Sequence, residues 1–445
     1  MNKTFIFLNI FCIFTLSFFV NSEDILDDYY MNNDEYKEFK IKVSQAVTSH
    51  PEYLAATESL KASSEGIRAS KSNLLPQIQF VIDSDNVLDR SFETGPDNLF
   101  EKSKSDHKTN ASLTISQLLY DFGATKNDIS KSEALFKASR ADLSIAILNL
   151  TFQSITSFIN VASYSAYEKV VESSYKRHKN IKERIAKKVE GGMSASRELS
   201  RAMAREAEAY AKLTSARQNL SRAISAFRIY FPDEALPLKI PFYNISLLNR
   251  NFIEARNLML VSNPEILKAN ENLRASMFNS ELVNSGTLPR LDLKIRGSQY
   301  NLTDQSDEYD LYSGINLSYD IYSGGKNRAL KNKASSEVLT YQNNRDSLLR
   351  NLSAELNNSL KNIKLIPESL SAYRNAYKAN KQSRFYANEQ FETSNALLLD
   401  LLQTERDFLE SSEAMLESMR SSQIENYIFL KLTGELGEEF KIILN

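Results

Sequence analysis

The sequence predicts an α+β fold, mainly α-helical and built twice on one plan. Three observations carry this. Only 12 Gly and 9 Pro punctuate 445 residues, well under the ~7% and ~5% of an average chain, so turns are few and helices long. Each half also holds short segments of strict apolar–polar alternation, the period of a two-faced strand. Finally, the two halves match in register, at first at an offset of about 213 residues.

The duplication is legible residue by residue. Ser49, Pro51, Glu52 and Leu54 recur as Ser262, Pro264, Glu265 and Leu267, and Leu75-Pro76 recurs as Leu288-Pro289. Farther on the offset falls to about 202: Tyr120, Gly123 and Glu190 match Tyr322, Gly325 and Glu392. The first copy therefore holds about 11 extra residues between 80 and 111, around Gly95 and Pro96, where a surface loop tolerates an insertion.

Composition removes several functions. Hydrophobic content of 42% with 25% charge excludes a disordered chain and a bundle of membrane helices. Lys and Arg number 54 against 56 Asp and Glu, net −2, so no basic excess argues for nucleic acid. His50, His107 and His178 lie far apart, without metal-ligand spacing. His50 aligns with Asn263, which marks it as a helix-start residue. Ser323-Gly324-Gly325-Lys326 lacks the spacing of a phosphate-binding loop. The expectation is a protein without catalytic residues, metal or cofactor.

Taken in order, residues 1–22 read as a secretory signal peptide, with Lys3, an apolar run over 5–20, and a cut before Glu23. A membrane anchor is the competing reading, but a run of about 16 residues is short of the ~20 that span a bilayer. The first repeat, 23–230, opens with a helical segment over 35–73, ended by Leu75-Pro76 because proline disfavours helix at the preceding residue. Ile78, Phe80 and Ile82 mark one strand. Leu113, Ile115 and Leu119 mark a second, whose stripe Gln117 interrupts. A helix over 124–190, the break Gly191-Gly192 and a helix over 196–230 follow. Residues 231–251, with Pro232, Pro237 and Pro241, form a connector.

The second repeat, 252–434, retraces this plan: helix 252–284, strands over 291–297 and 315–321, helix 326–392, a polar break, and helix 396–432. A tail, 435–445, closes the chain. Each of the two longest helices would reach about 100 Å at ~1.5 Å per residue. Pro367 should kink or break the second of them. Ala202, Ala209, Ala216 and Ala223 fall seven apart, as do Leu401, Phe408 and Met415 with Leu402, Leu409 and Leu416 beside them. Such heptads predict supercoiled helices with neighbours on both sides.

Four amphipathic strands cannot close a barrel, because membrane barrels need about eight or more and leave no edge in lipid. Together with export, this requires several chains to share one membrane barrel; three chains, each lending four strands, would give a 12-stranded barrel. Leu291, Leu293, Ile295, Ile315, Leu317 and Ile321 would face lipid. Asp292, Lys294, Asn316, Ser318 and Asp320 would face a watery lumen, and Tyr120, Tyr300, Tyr312 and Tyr322 would supply aromatic girdles. The long antiparallel helices would form a tube, an α-barrel, below the membrane barrel. The competing reading is a soluble periplasmic coiled coil with a small sheet.

With these features in place, the chain resembles the TolC family of outer-membrane export channels. The resemblance rests on Ser49-His50-Pro51-Glu52 and Ser262-Asn263-Pro264-Glu265, on the two Leu-Pro steps, and on the segments 117–123, 319–325 and 427–434. It implies a homotrimer in outer-membrane lipid and a helical tunnel. A periplasmic adaptor (membrane fusion protein) and an inner-membrane ABC or proton-driven transporter would open the tunnel's tip. The family's tip pattern maps onto Phe391, Ser394 and Asp400, with Val189, Gly192 and Glu198 as first-copy counterparts and Gly191 beside them. Ala396 and Gln403 stand where the family has an arginine and a second aspartate. Seven basic residues between Lys176 and Lys188 complement the helix dipole or form a docking surface. The expected function is an exit duct. Tyr120-Asp121-Phe122-Gly123 and the long first loop favour type I protein secretion over multidrug or metal efflux.

Overall fold

The computed structural model describes residues 29–89, 91, 107–243, 250–302, 308–393 and 397–442. The expected signal peptide, the insertion around Gly95 and Pro96, and the tip residues Ser394 and Ala396 lie outside the described residues. The elements run α1 (Asn33–Ser49), α2 (Pro51–Ser72), β1 (Gln77–Asn86), β2 (His107–Tyr120), α3 (Ala124–Glu190) and α4 (Ser196–Tyr230). The same order then repeats as α5 (Phe252–Ser262), α6 (Pro264–Ser285), β3 (Arg290–Gln299), β4 (Tyr309–Ser318), α7 (Lys326–Glu392) and α8 (Leu398–Thr433), with a short α9 (Leu436–Glu439) at the end.

Two expectations need correction. The opening helix of each repeat is split, at Pro51 and at Pro264. Each proline sits at the first helical position, where its missing N–H would have had no partner. The residue before it caps the new helix. His50 Nδ1 accepts from the Glu52 amide at 3.2 Å, and Asn263 Oδ1 accepts from Glu265 at 2.9 Å and Ile266 at 3.3 Å. Pro367 does not break its helix: α7 runs unbroken for 67 residues. Ile363, Ile366, Pro367 and Leu370 instead line a cavity of about 220 Å³ with Tyr30, Phe242 and Tyr243. Packing on that face holds the helix together despite the lost backbone bond.

Both turns from strand to long helix use left-handed backbone. Gly123 (φ +85°) and Gly325 (φ +86°) start α3 and α7. Gly324 precedes the latter at φ +62°, whereas Phe122 holds the matching place at φ +53°. Asp121 supports that costlier version: its carboxylate accepts from the Gly123 amide, the Thr125 amide at 2.7 Å and the Thr125 hydroxyl at 2.6 Å.

The chain forms two compact units. One comprises residues 1–46, 153–249 and 361–427. Its core includes Phe39, Phe158, Phe227 and Phe231, all buried, with ring centroids 4.7 to 6.1 Å apart. The connector is anchored there through a parallel bridge between Tyr30 and Ile240. Arg228 adds to this by donating to the Phe231, Pro232 and Glu234 carbonyls. Heptad residues Ala202, Ala209, Ala216 and Ala223 on α4 are buried, and so are both seams of α8, Leu401/Phe408/Met415 and Leu402/Leu409/Leu416.

The other unit comprises residues 47–152, 250–360 and 428–445 and contains the sheet, an antiparallel array in the order β1-β2-β3-β4. Its C-terminal segment is held firmly. Arg250 forms a two-pronged ion pair with Glu435, and Leu436 and Phe440 are buried.

Candidate functional site

The sheet register sorts its side chains into two faces, because residues directly opposed across antiparallel strands share a face. Leu291 opposes Leu317, Leu293 opposes Ile315, Ile295 opposes Ile115, and Ile115 opposes Ile78. Phe80 and Leu113 continue this apolar face toward the hairpins. It is open to solvent, with Ile78 at 69% and Leu317 at 67% exposure, so no other described part of the chain covers it. The polar face carries Asp292 opposite Asn316, Lys294 opposite Gly314, and Arg290 opposite Ser318. Four of the five expected lumen residues, Asp292, Lys294, Asn316 and Ser318, therefore share one face. Asp320 does not join them, because β4 ends at Ser318; the expected lipid-facing Ile321 also falls past that end.

Gln117 stands on the apolar face opposite Leu293, where its amide donates to the Leu74 carbonyl at 2.8 Å. The interrupted stripe thus ties the Leu-Pro corner to the sheet. A bulge between Leu118 and Tyr120 returns Tyr120 to the apolar face, opposite Leu291. Tyr312 opposes Arg296 and lies on the polar face, so it is no girdle residue; Tyr309, opposite Gln299, lies on the apolar one.

The expected tip residues lie at the ends of the long helices. After α3, Gly191 donates to Lys187 O, Gly192 (φ +71°) to Val189 O and Met193 to Lys188 O, a close in which left-handed glycine frees the last carbonyls for bonding. Glu198 is occupied within the loop, accepting from the Ser194 hydroxyl. Phe391 is buried in a cluster with Ile181, Ile185, Ala387, Leu398, Leu401 and Leu402, against which Val189 packs. Lys188 Nζ and Arg184 lie over its ring, 4.7 and 5.5 Å from the centroid. Asp400 is exposed in the first turn of α8, and Gln403, also exposed, donates to Asp407 Oδ1 at 2.7 Å.

The basic run on α3 is largely consumed inside the fold. Arg177 Nε donates to the buried Glu405 at 2.8 Å, Lys182 pairs with Glu206, and Arg184 and Lys188 cover Phe391. Lys176, Lys179 and Lys187 remain exposed. His178 is buried beside this network, and burial pushes its imidazole pKa down. Among the described residues no cluster of His, Cys, Asp and Glu could hold a metal.

The profile of the outer membrane efflux protein family matches residues 43–228 and 255–434, one segment in each repeat. The chain belongs to the outer membrane efflux protein family. The outer membrane efflux protein BepC of Brucella suis is 19% identical over 340 residues, which cover 75% of this chain and 74% of BepC. Among solved structures, the Campylobacter jejuni CmeC outer membrane channel superposes with a TM-score of 0.80 at 17% identity, covering 93% of this chain and 91% of CmeC. The Vibrio cholerae outer membrane protein VceC does so with a TM-score of 0.77 at 13% identity, covering 89% and 96%.

Family membership places the chain in the outer membrane with a periplasmic extension and makes it a transport protein, not an enzyme. Sequence reasoning missed the roles of three residues of the sheet region: Arg290, Arg296 and Asp121, the last read only as part of the 120–123 segment. Arg296 was detectable, since it occupies a polar position in the same alternating stripe as Lys294. Arg290 and Asp121 were not, because their roles depend on an ion pair and a turn that spacing alone does not reveal.

Proposed function

We propose that three copies of this efflux-family chain pool their sheets into one twelve-stranded barrel, and that the duct so formed releases cargo delivered by an inner-membrane pump through a periplasmic adaptor. One observation carries this reading. The sheet ends at β1 and β4, with no further strand paired to either among the described residues, and one of its faces is apolar and uncovered. Lipid tolerates such a sheet only when it is closed. The helix ends around Phe391, Val189, Gly191, Gly192 and Asp400 would form the periplasmic gate, with Asp400 supplying three like charges around the axis. Asp292, Lys294, Asn316 and Ser318 would line the barrel lumen.

For cargo we favour protein export by a type I system, on the Tyr120-Asp121-Phe122-Gly123 turn and the long β1–β2 connection. The second reading, small-molecule efflux, has the family description and the name of BepC in its favour. Outer-membrane fractionation with heat-sensitive oligomer migration tests the trimer, and a soluble monomer would refute it. In single-channel recordings, Asp400→Asn should weaken block by divalent cations; unchanged block removes Asp400 from the gate. Loss of one secreted protein on gene deletion, against a gain in drug sensitivity, separates the two cargoes.

A further inference from the structure

The polar face of the sheet separates its charges by height. Beside the helices, Arg290 Nε lies 2.9 Å from Asp292 Oδ2, so this pair cancels. Lys294 and Arg296, just above, pair with no carboxylate among the described residues. Arg296 Nε donates to Thr114 Oγ1 at 3.1 Å, which leans the guanidinium toward β2 and away from β4. Lys294 opposes Ser116 and Gly314, and the glycine offers no side chain to cover it. Toward the hairpin ends the sign reverses. Asp310 stands opposite Ser298 and Asp83 opposite Asn110, both exposed, while Asp85 faces Lys108 and adds no net charge. At ~3.4 Å per residue, Asp310 lies about 7 Å and Asp83 about 14 Å along the strands from the Arg296 row.

We propose that Lys294 and Arg296 form an anion-attracting band at the helix-proximal end of the barrel lumen, followed by an acidic rim of Asp83 and Asp310 toward the outer mouth. This rests on the trimeric barrel proposed above, in which three sheets set six positive charges around one bore. At physiological salt Asp310 lies within the ~8 Å Debye length of the band and partly offsets it, whereas Asp83 lies beyond that length and acts on a passing ion largely by itself. A lumen walled by low-dielectric lipid focuses both fields, and rings of Lys and Arg are the usual means by which a pore favours anions. Anionic solutes leaving the helical duct would be concentrated at the base of the barrel before meeting the acidic mouth.

Reversal potentials across a planar bilayer, under a KCl gradient of about 0.1 M against about 0.01 M, test this with the full-length protein. Lys294→Gln combined with Arg296→Gln should lower the chloride-over-potassium permeability ratio at least about threefold, and Asp83→Asn combined with Asp310→Asn should raise it. Both shifts should fade near 1 M KCl, where the Debye length shrinks to ~3 Å. All four side chains are exposed, and unchanged oligomer migration confirms folding of the variants. Wild-type channels that conduct, with a ratio that neither pair of substitutions moves, would overturn the band. Oligomers that insert and pass no current would instead overturn the bore, and the band with it.

Discussion

Gly434 lies directly against Ser262. A Cβ at Gly434 would stand 2.5 Å from the Ser262 carbonyl oxygen and 3.2 Å from the Asn263 amide nitrogen, and the glycine itself sits at φ +81°. The end of α8 is thereby fitted into the corner between α5 and α6. Asn263 reinforces it by donating Nδ2–H to the Leu432 carbonyl at 2.9 Å while capping α6 with its oxygen.

Gly434→Ala should therefore destabilise the protein by more than ~2 kcal/mol, since left-handed backbone and a backbone clash add together. Thermal unfolding of the detergent-purified protein checks this. Gly191→Ala, whose Cβ would come closest to the flexible end of Met193 at 3.2 Å and stand in ordinary contact with the Lys187 and Lys188 carbonyls at 3.5 and 3.9 Å, is the matched control and should cost much less.

The Arg177–Glu405 pair joins α3 to α8 with Glu405 only 3% exposed. Arg177→Met would leave a buried carboxylate without its ionic partner and should cost about 3 kcal/mol. The double variant Arg177→Met/Glu405→Leu should recover most of that loss, because two apolar groups then replace two desolvated charges. A double-mutant cycle by chemical denaturation reads the coupling; simple additivity would show that the pair does not interact.

His178 gives the fold an acid sensitivity. Burial is the main cause of its lowered pKa, and Arg177 on its own helix and Arg205 on α4 act in the same direction, against Glu405 and Glu208. In the unfolded chain the imidazole takes up a proton near pH 6.5, whereas the folded protein resists it. The unfolded state then binds more protons, so stability is intact above about pH 6.5 and declines as pH falls below it. His178→Gln should flatten this part of the pH–stability curve, measured as Tm between about pH 7.5 and 5. A slope that survives the substitution would assign the effect to other groups.

Much of the fold was legible because long-range identity and short-range period agreed. The bounds of the helices at 124–190, 196–230 and 326–392 follow directly from glycine breaks and the duplicated register. His50 and Asn263 were legible as helix-start residues, yet the segments 35–73 and 252–284 read as continuous, so the splits at Pro51 and Pro264 come from the structure. Pro367 misled in the opposite direction, since tertiary packing on one face outweighed the local penalty. In the candidate site, strand alternation placed Asp292 and Lys294 on one face of β3, as the register shows. β4 ends at Ser318, opposite Arg290 at the start of β3, so Asp320 lies past the paired strand.

The amino-acid order alone determined that this protein is a duplicated helical chain with four two-faced strands, and that it resembles an exported channel. Those conclusions need only local period and repetition, which are properties of the linear chain. Tertiary structure decided which charges cancel and which remain. Arg290 neutralises Asp292, Glu405 absorbs Arg177, and Lys294 and Arg296 pair with no carboxylate among the described residues. Electrostatic pairing depends on distances of a few ångströms between residues as far apart along the chain as Arg177 and Glu405, and no pattern along the chain encodes such distances.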